Sequence, residues 1–310
     1  MNLDAPLASA GSPPATPLAT PPGTSERSLA ERRLAGIADV AVHVDGSAGD
    51  ESRIAYAEAL AVAAGAHLTA FQTNYIPDPP ITAEAGSAWI VSELFEDGRR
   101  IGAEIEQRLR TRLDLLAVPW EIQRCDDMLA GLMRAAAGLA RTSDVFVYGR
   151  PFDEGGLALQ YLEAVLFNAS STVLVAPPEA AAAGAPKTIL IGWRDSAECA
   201  RAIAAARPFL AAADIVHLVS VLEDGSEEEQ HREPAAAMAR HLARHGVTVE
   251  IRHLPKWRRP GEGLINEAVI LGADLIVAGA YGHSRFRERI FGGATRDLLQ
   301  ESPVPVLLAR

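Results

Sequence analysis

Cysteine is nearly missing from this chain: its 310 residues include two, Cys125 and Cys199. They form no CxxC or metal-ligand spacing and lie far apart, which argues against a disulfide-stapled scaffold and a cysteine zinc site. Two buried structural thiols in a reducing compartment are expected instead. Basic charge is also short. Lys and Arg number 29 against 40 Asp and Glu, a net charge of -11, whereas surfaces that hold nucleic acid or anionic lipid need the opposite excess. Neither a nucleic-acid nor a membrane partner is therefore expected, although a local basic pocket could still take an anion. No uncharged apolar run approaches the roughly 20 residues that cross a bilayer. The opening stretch, MNLDAPLASAGSPPATPLATPPGTSERS, has no basic n-region and no apolar h-region, so no secretory signal is read there and a cytoplasmic location is expected. Its Pro, Ala, Ser, Thr and Gly content predicts a disordered tail over residues 1–33.

Catalytic signatures are missing as well. No GxSxG elbow, HExxH pair, Ser/His/Asp order or paired-carboxylate constellation can be found, so no catalytic residue is assigned. His241 and His245 stand at helical i, i+4 spacing, but no acid or cysteine accompanies them at ligand spacing and no metal site is assigned.

What is present is alternation. Hydrophobic residues make up 48% and charged residues 22%, ordinary globular material long enough for two domains. From Leu34, short β-branched runs alternate with Ala-rich amphipathic stretches, the pattern of a parallel sheet with crossover helices. IADVAVHV, AHLTAFQT, PWEIQRC, DVFVYGR and STVLVAP read as strands of a first half. DESRIAYAEALAVAAG, ELFEDGRRIGAEIEQRLRTRLD, DDMLAGLMRAAAGLART and ALQYLEAVLFNA read as its helices. A Pro/Ala/Gly linker at 178–186 follows, and the pattern restarts with strands TILIGW, DIVHLVSV, VTVEIRHL, DLIVAGA and VPVLLAR. Helices are expected at about 196–210, 234–245, 261–271 and 292–301, and the acidic EDGSEEEQ as a loop. SDVFVYGR parallels ADLIVAGA, and FNASSTVLVA parallels FGGATRDLLQESPVPVLLA. The expectation is two copies of one α/β domain, 34–177 and 187–310.

The most informative stretch is VAGAYGHSRFRERIFGGATRDLL. Gly279 and Gly282 follow the fourth strand of the second half, and Gly292 and Gly293 open the next helix. Glycine weakens regular structure, so this density suggests backbone that something approaches closely. Ligands of open α/β sheets bind beyond the carboxyl ends of the strands, where helix N-termini offer N–H groups to anions. His283, Arg285, Arg287 and Arg289 lie between the glycines, as a loop around a phosphate chain would have them. The spacing is neither GxGxxG nor GxxxxGK[ST], which disfavours a dinucleotide dehydrogenase and a P-loop NTPase.

In this spacing the chain resembles the universal stress protein family, whose nucleotide-binding members carry G-x2-G-x9-G-[ST] between the fourth strand and fourth helix. Gly279, Gly282 and Gly292 match it; Gly293 stands where the family has Ser or Thr, leaving backbone N–H groups and the nearby Thr295 hydroxyl. The resemblance covers Leu34 to Arg310 in two copies and implies a tandem protein of Rossmann-like, five-stranded parallel-sheet domains. It implies binding of ATP or a related adenine nucleotide, with Mg, by the second domain, and a role in stress response or signalling through an unidentified protein partner. On that resemblance the nucleotide residues are Trp193, Arg194, Val219, Gly279, Gly282, His283, Arg285, Gly292, Gly293, Ala294 and Thr295. A non-nucleotide interaction module and a slow ATPase are the alternatives. The family's binding members also place an Asp at the end of the first strand. VDGS supplies Asp45 in the first half, where the residue also reads as a helix N-cap. WRDS puts Arg194 at that position in the second, with Asp195 next and Ser196 as a cap. Phe152 and FNASS replace the glycine positions in the first half, so that copy is expected to be degenerate. Family members commonly dimerise through the last strand, which implies that STVLVA and VPVLLA pair antiparallel within one chain as a pseudo-dimer. The cluster Lys256, Trp257, Arg258 and Arg259 reads as a solvated basic loop or, alternatively, as an anion-attracting rim whose tryptophan could stack on a base.

Overall fold

Residues 34–78, 88–152, 157–169, 171–178, 184–222, 228–280 and 293–310 are described by a computed structural model. The expected tail and residues 281–292, with Gly282, His283, Arg285 and Gly292, lie outside the described residues.

The first half runs β1 (Asp39–Val44), α1 (Asp50–Ala64), β2 (His67–Tyr75), α2 (Ala88–Leu113), β3 (Trp120–Asp127), α3 (Leu129–Ala140), β4 (Val145–Tyr148), α4 (Leu157–Ala169) and β5 (Thr172–Val175). The second runs β6 (Thr188–Gly192), α5 (Ala197–Ala205), α6 (Arg207–Ala212), β7 (Ile215–Val221), α7 (Glu228–Arg244), β8 (Val249–Leu254), α8 (Pro260–Leu271), β9 (Leu275–Gly279), α9 (Gly293–Glu301) and β10 (Val306–Ala309). The strands form one ten-stranded sheet in the order β3-β2-β1-β4-β5-β10-β9-β6-β7-β8, a Rossmann-like α/β arrangement repeated about its middle. Strand composition follows position. The central β4, β5 and β10 are buried at every residue, as expected of parallel strands covered on both faces. WEIQRCDD and VEIRHL, at the two edges, keep polar side chains partly in solvent. Helices α1, α2, α5, α6 and α7 contribute to one core and α3, α4, α8 and α9 to the other, and each core runs across both halves.

Two aspartates mark the repeat in atomic detail. Asp144 accepts from the amides of Ala38 (2.7 Å) and Asp39 (3.1 Å), and Asp274 accepts from those of Lys187 (2.8 Å) and Thr188 (2.9 Å). Each satisfies backbone donors where the first strand of its half begins, which fixes that strand against the fourth. Val40 and Ile189 are thereby equivalent, paired with Val145 and Leu275 respectively.

Three sequence expectations change. The helix read over 196–210 is interrupted at Ala206, where α6 begins with Pro208 in its first turn; proline lacks the N–H that would continue α5. Glu228, Glu229 and Gln230 fall in α7 rather than in the expected acidic loop, whose residues 223–227 lie outside the described residues. FNASS is not the counterpart of FGGAT. Phe167, Asn168 and Ala169 close α4, whereas Gly293 opens α9. Counted back from the equivalent Val173 and Val306, the residues matching Gly293, Ala294 and Thr295 are Gln160, Tyr161 and Leu162.

Within each half every pairing is parallel; β5 and β10 meet antiparallel, Val173 to Val175 against Val306 to Leu308. All six residues of this seam are buried to 3% exposure or less. Val306→Lys would place an unpaired ammonium there and should lower the unfolding free energy by at least about 3 kcal/mol. Urea denaturation of the full chain measures it; a loss under about 1 kcal/mol would mean the seam carries little of the stability.

Candidate functional site

Beyond the carboxyl ends of β6, β7 and β9 lies a cavity of about 320 Å³. Gly192, Trp193, Arg194, Val219, Gly279, Gly293, Ala294 and Thr295 line it, so all seven sequence-designated residues within the described part of the chain converge there. Trp193 extends β6 by donating its amide to Val219 O at 2.7 Å, and its side chain is a buried wall. Opposite, Pro260 and Leu264 of α8 and Cys199 of α5 complete the enclosure; these had no sequence signal because only the packing of α5 and α8 brings them in. The first amides of α9 have no partners inside the helix, and its dipole makes that end favourable to negative charge.

The glycines serve different ends. A Cβ on Gly279 would stand 2.8 Å from the Cys199 amide nitrogen and 2.9 Å from the Glu198 carbonyl carbon, so the close approach here is the backbone of α5. Gly293 is the reverse: nothing lies within 4 Å of a Cβ built on it. Thr295, expected to offer its hydroxyl to phosphate, donates instead toward Gly279 O at 3.4 Å and is buried. That contact ties the first turn of α9 to the end of β9.

The basic loop before α8 is committed to structure. Arg259 reaches Asp297 (Nε 3.1 Å, Nη2 2.5 Å), Glu262 (2.6 Å) and Glu301 (2.8 Å), and its hydrogen bonds to Asp297 and Glu301 raise its pKa, with the charge of Glu262 adding to the effect. Trp257 lies against Gly263, where a Cβ would meet its ring at 2.9 Å. Neither the tryptophan nor the arginine lines the cavity, so the anion-attracting rim is not formed by these two. Ser196 does cap α5, accepting from Cys199 N at 3.2 Å, while Asp195 is exposed. His241 and His245 sit edge to face, 4.8 Å between centroids, beside a separate groove of about 740 Å³ with Phe209 and Ile37. Among the described residues no group of three or more His, Cys, Asp and Glu could hold a metal ion. Of the cysteines, Cys199 is buried and Cys125 only half-buried, against the expectation of two buried thiols.

The corresponding region of the first half is built differently. Asp45 does not cap α1, whose N-cap is Gly49 without a side-chain bond. It pairs with Arg53 Nη2 at 2.7 Å, and Arg53 also bonds Asp50 and Ser47. Burial works against the Asp45 charge, but the adjacent guanidinium prevails and holds the carboxyl well below its usual range. Counting along the strands, His43 and Tyr148 occupy the places of Gly192 and Ala278, and Tyr161 that of Ala294. The three rings cluster, His43 at 4.8 Å from Tyr148 and 5.1 Å from Tyr161. They take up space that small residues leave open in the second half. Burial pushes the His43 pKa down to about 3, with Arg53 adding to the shift.

Fold and cavity together define an open α/β protein of the doubly wound type with a ligand-sized hollow at the carboxyl ends of its strands. Residues 186–310 match the model of the Universal stress protein family, and the C-terminal half belongs to that family. A universal stress protein from Archaeoglobus fulgidus matches 90% of this chain and 98% of its own at 14% identity, with a TM-score of 0.69. A putative universal stress protein from Pseudomonas aeruginosa matches 88% and 93% at 15% identity, with a TM-score of 0.54. At such identities these likenesses establish the fold of both halves and no more. No curated protein matches the sequence. No helix among the described residues is long and apolar enough to cross a membrane.

Two outcomes check this geometry. Gly279→Val should destabilise the chain by about 1–3 kcal/mol, because the α5 backbone cannot give way as a side chain can, whereas Gly293→Ala should leave the fold intact; thermal melts of the two variants compare them. His43 binds a proton more weakly folded than unfolded, so its contribution is fully present above about pH 6.5 and is lost as pH falls toward about 3. His43→Leu should flatten the dependence of unfolding free energy on pH across that window; an unchanged slope would place the acid sensitivity elsewhere.

Proposed function

We propose that the second half, 187–310, binds ATP or a related adenine nucleotide in the cavity between β6, β7, β9, α8 and α9. The first half, 34–177, contributes fold and not phosphate contacts, and the protein acts in stress response or signalling. The observation that carries this reading is the convergence of Trp193, Val219, Gly279 and the α9 start on one cavity. The donors fit the ligand: Trp193, Val219 and Leu264 supply apolar walls for a base, and the first amides of α9 supply uncharged donors for phosphate. Asymmetry between the halves supports a single nucleotide site, since the rings of His43, Tyr148 and Tyr161 line the first half's hollow where Gly192, Ala278 and Ala294 stand in the second. The paired β5 and β10 support reading the chain as an intramolecular pseudo-dimer.

Isothermal titration of the full chain with ATP, ADP and AMP tests the assignment, and absence of binding by all three would overturn it. Space at Gly293 gives a sharper test. Gly293→Ser introduces the hydroxyl that nucleotide-binding members of the family carry there, into open surroundings, and should tighten ATP binding about threefold to tenfold, the net worth of one ordinary hydrogen bond. A folded variant with unchanged or weaker affinity would remove the phosphates from the start of α9.

A further inference from the structure

The groove of about 740 Å³ lies where the halves meet, between Gly36 and Ile37 just before β1 and the helices α5, α6 and α7. From the α7 side it takes Met238, His241, Leu242 and His245. Those positions are i, i+3, i+4 and i+7, a single face of a helix. Leu242 belongs to the core beneath, whereas Met238 is half-buried and both histidines are exposed. Three side chains able to ligate a metal therefore stand along one accessible wall.

The end of α7 is fixed rather than frayed. His245 follows its last residue, and Gly246 turns the chain with φ 78°. Gly246 N donates to Ala243 O at 2.9 Å and Val247 N to Leu242 O at 3.2 Å, the paired bonds that close a helix at a left-handed glycine. His245 is thereby held one turn from His241, and the ring centroids are 4.8 Å apart. Among the described residues neither imidazole has a hydrogen-bond or ion-pair partner.

Two unpaired imidazoles at i, i+4 on one helix face are a chelating arrangement for a transition-metal ion. No carboxylate or thiol among the described residues joins them; the third donor on this face is the Met238 thioether, one turn before His241. That set has a chemical preference. Imidazole suits zinc, nickel and copper alike, but a thioether is soft and selects Cu(I). The charged side chains of the groove, Asp144 and Arg207, are opposite in sign, so the wall offers no excess of carboxylate oxygen to a hard cation such as Mg²⁺. Neutral nitrogen and sulfur are what remain.

We propose that the groove holds a Cu(I) ion against α7, bound by the imidazoles of His241 and His245 and by the Met238 thioether. The site is separate from the nucleotide cavity and does not depend on that assignment.

Anaerobic titration of the full chain with Cu(I) against the chromophoric chelator bicinchoninate counts the ions bound and ranks their affinities. The unmutated chain should hold one equivalent that His241→Ala and His245→Ala each bind at least about a hundredfold more weakly, since even outer-shell losses cost about tenfold to hundredfold. Both histidines are exposed, so these variants keep the fold. Met238→Leu, close in volume, should weaken Cu(I) about tenfold and leave Zn(II), bound by the imidazoles alone, unchanged in a parallel calorimetric titration. His67→Gln removes a histidine outside the groove and should change nothing. Full Cu(I) binding by His241→Ala would put the copper on Cys125 or another histidine and overturn the site. Failure of the unmutated chain to bind Cu(I), tighter binding of Zn(II) than of Cu(I), an equal loss in His67→Gln, or undiminished Cu(I) affinity in Met238→Leu would each overturn the proposal as well.

Discussion

An unpaired apolar strand edge cannot be left in water, and the rest of this structure follows from how that constraint is met. β5 and β10 are short, wholly apolar and buried, and each closes the other's edge through antiparallel pairing. The cores above and below the sheet therefore run unbroken across both halves. Direction is set by the same contact. Because the halves are internally parallel and meet antiparallel, their carboxyl ends face opposite ends of the sheet, and the two cavities cannot share a ligand. The repeat thus yields two sites that are free to differ.

They differ by exchanges at equivalent positions. Glycine and alanines at 192, 278 and 294 leave the second cavity open between β6, β9 and α9. Histidine and tyrosines at 43, 148 and 161 put rings at those places in the first half, where they line a hollow of about 370 Å³ together with Thr73 and Tyr75. The arginine that pairs with Asp45 and Asp50 comes from α1, and its side chain lies 3.2 Å from a Cβ built on Gly149, the counterpart of Gly279. In the second half the equivalent approach is made by the α5 backbone itself. One half brings helix amides close to the strand ends; the other brings a side chain already neutralised by two acids.

Rigidity at the second cavity has a visible source. The buried Asp297 receives Arg259 from the α8 start, and Gly261 lets the helices touch, since a Cβ there would meet Asp297 Cβ at 2.4 Å and Ala294 O at 2.7 Å. The two helix starts that border the cavity are thereby held to each other rather than to solvent. Arg259, read in the sequence as part of a solvated basic loop or alternatively of an anion-attracting rim, is a strut, because three carboxylates reach it from α8 and α9.

Much of this was legible in the amino-acid order. Alternating β-branched and Ala-rich stretches gave the strands and crossover helices, since their periods differ and buried parallel strands need apolar residues on both faces. The spacing from Gly279 to Gly293 located the cavity, because backbone freedom is written in the sequence wherever glycine is. What the order could not carry was the use of each residue. Gly279 answers to α5 and Thr295 to Gly279 O, contacts between segments far apart in the chain. Asp45 had a plausible local role as a cap, and a guanidinium one helical turn beyond Asp50 took it instead. The sequence by itself determined the repeat, the elements and the place of the second cavity, all of which depend on near neighbours and periodicity. Tertiary structure alone decided which polar groups remain unpaired, such as His43 Nδ1, because hydrogen-bond satisfaction is settled only when all elements are packed.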